Sequence, residues 1–233
     1  MRTRVLKART RVVMLLLVLM LLTLANAHAV GIGFSFLLPF DGAFSNPVSP
    51  LSFDGIGITI ADYVTVSTSL ALYNIGGLAL RATDLDVPRG IGPSLAFLGS
   101  IDGGLRIPAG NLEVSASGGV AMLSLFNPQL QTGRVEAEIT DALNWDSVSS
   151  DLAFDPGTGF GWNAGGEVTY FVTEQFGVSV GGRYYRIDVP ATLRGSVIGA
   201  ASGGTVSTDT VEYQNARADF TALKISLGVE ARL

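Results

Sequence analysis

The 233-residue chain contains no cysteine, which excludes disulfide staples, thiolate nucleophiles and cysteine-ligated metals. It has a single histidine, His28, and only 15% charged residues, against the roughly 25% usual for a soluble domain. Beyond residue 30 no apolar run approaches the roughly 18 residues that a membrane-crossing helix needs. Low charge with a mean hydropathy of +0.42 also excludes a disordered chain and a basic nucleic-acid binder. Glycine is what the chain has in excess: 29 residues, where the usual ~7% would give roughly 16.

The first eleven residues hold five basic side chains (Arg2, Arg4, Lys7, Arg9, Arg11) and no acid. The apolar run Val12 to Leu24 that follows is 13 residues, too short to cross ~30 Å of hydrocarbon as a helix. Ala25-Asn26-Ala27 and Ala27-His28-Ala29 both fit a signal-peptidase site. Residues 1–29 are therefore expected to be a cleaved secretory signal peptide rather than a retained anchor, with a mature chain starting between His28 and Val30. Ten bases then remain against twenty acids, an acidic balance that disfavours nucleic acid as a partner.

The mature chain, 30–233, reads as one all-β domain. Val30, Ile32, Phe34, Phe36, Leu38 and Phe40 alternate with Gly31, Gly33, Ser35, Leu37 and Pro39, the period of a strand. The same alternation recurs around Ile56–Ile60, Val64–Leu72, Leu95–Ile107, Leu112–Met122, Trp162–Tyr170, Phe176–Tyr184 and Leu223–Leu233, which makes eight strands. The bulky apolar face of these runs carries no charge. The opposite face is mostly Gly, Ser, Ala and Thr, and carries Asp102, Arg106, Glu113, Glu167, Arg183, Lys224, Glu230 and Arg232. Small residues suit a narrow lumen better than a water-facing sheet, and Trp162, Tyr170 and Tyr184 sit near strand ends as aromatic girdles do. The pattern predicts a transmembrane up-and-down antiparallel barrel of eight strands, apolar face outward to lipid.

Short turns are expected near 61–63, 109–111 and 173–175, and long loops at 41–53, 74–93, 126–159 and 188–217. That spacing puts both mature termini on one side, periplasmic for an outer-membrane barrel of a diderm bacterium, and the long loops outside. A turn at Ala109-Gly110 would pair Pro108 with Asn111 and set Arg106 across from Glu113. The acidic 126–159 stretch reads as a solvated loop rather than a divalent-cation site, with room for a short helix within Val135–Phe154.

Gly165-Gly166-Glu167-Val168-Thr169-Tyr170-Phe171-Val172-Thr173-Glu174-Gln175-Phe176-Gly177-Val178-Ser179-Val180, with Arg183-Tyr184-Tyr185 after it, resembles a hairpin of the OmpW family. So does Pro93-Ser94-Leu95 running through Leu105-Arg106-Ile107-Pro108 to Gly118-Gly119-Val120. The family ends in an aromatic residue read by the barrel-assembly machinery, whereas this chain ends in Leu233, with Ala231, Val229, Leu227 and Ile225 in the same register. The resemblance implies a small eight-stranded outer-membrane barrel that passes small hydrophobic molecules.

For function the residues leave two readings. Catalysis has little to work with, since His28 falls at the cleavage boundary and no other histidine exists to act as a positioned base. No cofactor or metal is expected; the partners are outer-membrane lipid and small hydrophobic ligands. Near the long-loop ends the inward positions are Leu37, Phe53, Tyr73, Leu98, Leu123, Leu125, Tyr185 and Phe220. The eight charges lie below them. An apolar chamber over an ionic plug suits a narrow conduit or pocket for small apolar molecules. The alternative is a structural or adhesive barrel whose lumen is packed and whose loops do the work.

Overall fold

The structure, a computed structural model, describes residues 29–40, 48–61, 63–83, 85–200 and 206–232; the rest of the expected signal peptide and Leu233 lie outside these. The strands are β1 (Ala29–Pro39), β2 (Val48–Ala61), β3 (Val64–Ile75), β4 (Leu78–Ala82), β5 (Leu85–Ile91), β6 (Ser94–Ala109), β7 (Leu112–Phe126), β8 (Ser147–Pro156), β9 (Thr158–Phe171), β10 (Phe176–Ala200) and β11 (Val206–Arg232). One helix, α1 (Thr132–Leu143), lies between β7 and β8. All pairings are antiparallel. The order β11-β1-β2-β3-β6-β7-β9-β10 closes on itself through β10–β11, giving a ring of eight strands.

The ring forms because each strand can satisfy both of its faces. Phe34, Val120, Val178 and Val229 are more than half exposed on the outside, a surface that is stable only against hydrocarbon. The described residues include no helix long and apolar enough to cross a membrane, so any crossing is by strands. Phe40, Tyr184 and Trp162 cluster at one height on this outer surface, with ring centroids 5.3 Å (Phe40–Tyr184) and 5.2 Å (Trp162–Tyr184) apart. Tyr63 and Tyr170 stand exposed near the short-turn end.

The long connections differ from the expectation. Most of the 188–217 stretch is strand, not loop: β10 and β11 run on, paired from Phe176↔Ala231 to Ala200↔Val206, and 201–205 lies outside the described residues. Val189, Leu193 and Val197 stay buried on one face while Asp188, Pro190 and Arg194 are exposed on the other. The polar face breaks the lipid-facing pattern without breaking the strand. The 74–93 stretch folds as the β4–β5 hairpin, and β4 adds to β11 at Ala218↔Leu80. The 126–159 stretch holds α1 and then β8, which pairs with the upper part of β10. α1 begins before the window expected for it; Val135 and Ile139, four apart on one face, are its buried residues, and Asn144 ends it in the left-handed conformation at φ 52°. Of the 41–53 stretch, β2 takes up the part from Val48 onward, and 41–47 lies outside the described residues. Beyond the barrel rim, then, the chain forms a five-stranded sheet, β8-β10-β11-β4-β5, with α1 packed against it.

Candidate functional site

The interior is layered. At the long-connection end Leu37, Tyr73, Leu98, Leu123, Leu125, Tyr185 and Phe220 are each no more than 2% exposed and belong to one apolar cluster. That cluster continues upward into Leu78, Leu80, Leu85, Val87, Val135 and Ile139, so the hairpin β4–β5 and α1 close over it. These cap residues escaped the sequence reading, although the i, i+4 spacing of Val135 and Ile139 marks the helix face. Two tyrosines bring hydroxyls into the layer. Tyr73 Oη meets Ser35 Oγ at 2.6 Å, and Tyr185 Oη has no hydrogen-bond partner among the described residues.

Phe53 is the exception among the residues assigned to this layer, because it faces outward. It pairs with Ile32 on β1 and with Leu70 on β3, both outer-face positions. The cause is a bulge: between Phe53 and Ile56 three residues of β2 oppose two of β3. Below the bulge, odd positions such as Gly57 point inward; above it, Ser52 and Asp54 do. A constant period of two therefore put Phe53 on the wrong face and hid Asp54.

Asp54 completes the next layer. Lys224 is 3% exposed, and its Nζ donates to Asp54 Oδ1 at 2.5 Å. Ser52 Oγ donates to Asp54 Oδ2 at 3.1 Å. Beside this pair Arg183 is salt-bridged to Asp102, and it also donates to Asn163 Oδ1 at 2.9 Å and Ser117 Oγ at 2.7 Å. Asp102 in turn accepts from Ser100 Oγ at 2.7 Å.

At the short-turn end a chain of charges spans the lumen. Arg106 is salt-bridged to Glu113 and, through Nη2, to Glu230 Oε1 at 3.1 Å. Arg232 Nη2 reaches Glu113 Oε2 at 2.6 Å, and its guanidinium lies 3.5 Å over the ring of Phe171. Thr169 Oγ1 donates to Glu230 Oε2 at 2.9 Å. The Arg106–Glu113 contact is present, but its register is not the one expected. The two-residue turn is Gly110-Asn111, with Gly110 at φ +67°, a conformation that favours glycine at the first turn position. Pro108 then sits across from Glu113 and Arg106 across from Ser115, so Arg106 reaches Glu113 diagonally.

Among the described residues, five acids (Asp54, Asp102, Glu113, Glu167, Glu230) and four bases (Arg106, Arg183, Lys224, Arg232) point inward, and Glu167 is the one with no ion pair to another described residue. A cavity of about 90 Å³ lies among these charges rather than in the apolar layer. Among the described residues no cluster of potential metal ligands occurs.

No protein-family model matches the chain, and no curated protein does. Solved structures do. The chain is similar to the outer membrane protein OprG from Pseudomonas aeruginosa, at 16% identity over 89% of this chain and 97% of that one, with a TM-score of 0.52. Weaker likenesses are to outer membrane protein W of Escherichia coli (14% identity, 89% and 98% covered, TM-score 0.46) and to Ail, the attachment invasion locus protein of Yersinia pestis (11%, 88% and 97%, 0.40). At such identities the first of these comparisons establishes a shared fold. The chain has the architecture of a small outer-membrane β-barrel, the fold that the resemblance of its hairpins to the OmpW family implies.

Proposed function

We propose that this barrel takes small apolar molecules into the upper part of its lumen. The observation that carries the reading is the chemistry of that layer. The interior of a transmembrane barrel is generally polar, yet here Leu37, Leu98, Leu123, Leu125 and Phe220 line it at the long-connection end. The ion pairs beneath make a straight axial path costly for an apolar solute, so exit runs sideways between strands into the bilayer. Because β4–β5 and α1 pack over the apolar layer, entry requires that cap to give way. In this reading residues 1–29 are a secretory signal peptide and both mature termini face the periplasm. The sheet above the rim faces outward from the cell, and the final strand is what the assembly machinery reads.

The test is uptake of a small apolar probe into liposomes carrying Leu123→Glu or Leu98→Glu, with folding checked by the heat-dependent shift on a detergent gel. Uptake is expected to fall in both variants, and folded variants with undiminished uptake would defeat the reading. A second reading rests on a specific observation, the near-zero exposure of the same residues. A layer with no free space is core, and the barrel then supports the sheet above its rim as a surface for adhesion. Deletion of 201–205 with β4–β5 would, in that case, abolish surface binding and leave uptake unchanged.

A further inference from the structure

Three buried side-chain atoms inside the barrel have no hydrogen-bond partner among the described residues: Asp102 Oδ1, Asn163 Nδ2 and Tyr185 Oη. Their residues are 1%, 2% and 0% exposed, so bulk water does not reach them. One nitrogen of Arg183 gathers the first two side chains. Its Nη1 is salt-bridged to Asp102 Oδ2 and donates to Asn163 Oδ1 at 2.9 Å. Because a donor faces Asn163 Oδ1, the amide orientation is fixed and Nδ2 is left over. Asp102 Oδ2 also accepts from Ser100 Oγ at 2.7 Å, so both bonds of that carboxylate fall on one oxygen. Gly119 separates Asp102 from Asn163 in the β6–β7–β9 register, and a Cβ there would lie 2.8 Å from Asp102 Oδ1. Glycine leaves that oxygen uncovered. Tyr185 stands directly across from Asn163 on β10 and belongs to the apolar cluster above. Directly opposed residues on one sheet face lie about 5 Å apart at Cβ. The other tyrosine of the cluster, Tyr73, is satisfied by Ser35, and no described residue does the same for Tyr185.

The left-over atoms are a carboxylate oxygen that accepts, an amide N–H that donates and a phenol that does either. A group that completes them has to donate and accept at once. A hydrocarbon does neither, an ether or ketone leaves the Asp102 oxygen bare, and an ammonium leaves the Asn163 N–H bare. A hydroxyl donates to Asp102 Oδ1 and accepts from Asn163 Nδ2 or Tyr185 Oη. Water has the same capacity, and the hydroxyl of a ligand takes its place without losing a bond. We infer that the floor of the apolar layer selects a hydroxyl group, so that the molecules taken up are small alcohols or phenols with an apolar body. This rests on the uptake reading and names its substrate class.

The experiment titrates the mature barrel in detergent micelles with 1-hexanol, methyl pentyl ether and n-heptane, which have equal numbers of heavy atoms. Binding is read from the side-chain amide resonance of Asn163 and from the rise in unfolding midpoint at equal micellar concentration. A site built to hydrogen-bond a hydroxyl rejects analogues that lack it. 1-Hexanol is expected to bind about tenfold more tightly than n-heptane, and more tightly than the ether. It alone is expected to move the Asn163 amide strongly. Tyr185→Phe, which removes one oxygen, is expected to cut the preference about threefold. Equal binding of the alcohol and the ether, or of all three probes, would overturn the hydroxyl site and leave the uptake reading standing. Binding of none would overturn both. A preference for 1-hexanol without movement of the Asn163 amide would put the hydroxyl elsewhere and overturn the site. So would a folded Tyr185→Phe barrel with undiminished preference, and the wild-type series decides the other points whether or not that variant folds.

Discussion

Arg106 is the side chain on which the lower charge network turns, and its removal makes a quantitative prediction. Its guanidinium bridges Glu113 and Glu230, and the three side chains are 15%, 6% and 11% exposed. Arg106→Gln leaves two carboxylates in the lumen, Glu113 with Arg232 and Glu230 with Thr169 only. Breaking a buried pair from one side typically costs 3–5 kcal/mol, because the orphaned charge stays desolvated. Glu113 keeps one partner, so the expected loss is at the low end, about 3 kcal/mol. Glu113→Gln should cost less, about 1–2 kcal/mol, because Arg106 retains Glu230 and Arg232 is already partly solvated. The double change Arg106→Gln with Glu230→Gln should recover part of the loss, since it removes the carboxylate with the weakest remaining support. The assay is reversible urea unfolding in lipid vesicles, read by the fluorescence of Trp162 in the outer belt. If Glu113→Gln proved as damaging as Arg106→Gln, or if the double variant lost the sum of its singles, the bridging role of Arg106 would be refuted.

Further expectations follow from the bulge, the buried lysine and the cap. With no native cysteine, a fluorophore on Phe53→Cys reports one position cleanly; it should be quenched by brominated lipid, and absence of quenching would return residue 53 to the lumen. Asp54→Asn leaves Lys224 buried without its carboxylate and should lower stability by about 3 kcal/mol or more; adding Lys224→Met should restore most of it, as measured by the same urea midpoints. Ile139→Asp puts a charge on the buried face of α1. Limited proteolysis should then cut between residues 127 and 146 while the folded-barrel band on the gel persists.

The barrel was legible because lipid imposes a one-sided rule. Eight runs place bulky apolar groups on one face without a single charge, and Phe34, Val120, Val178 and Val229 all lie outside as that rule requires. Above the rim the same strands stand in water on one face. There Asp188, Pro190 and Arg194 made the continuation of β10 look like loop, although its other face kept alternating. The β2 bulge is illegible for a different reason. Inserting one residue flips parity without changing composition, so Phe53 and Asp54 exchanged faces with no local signal. The inward charges identified from parity balance four against four, so their count gave no sign of the partner that Asp54 supplies to Lys224.

The pairing of β1 with β11 joins the beginning and the end of the described chain, Ala29 against Arg232 through Pro39 against Ala222. Closure is therefore the contact of greatest sequence separation in the molecule, and contacts of that kind form late and slowly. Until β11 arrives, β1 presents a bare edge whose amides and carbonyls would pair with any other strand they met. A barrel of this design cannot close strand by strand as the chain emerges. Its first strand waits for its last, and through that interval the sequence depends on being shielded from its own copies.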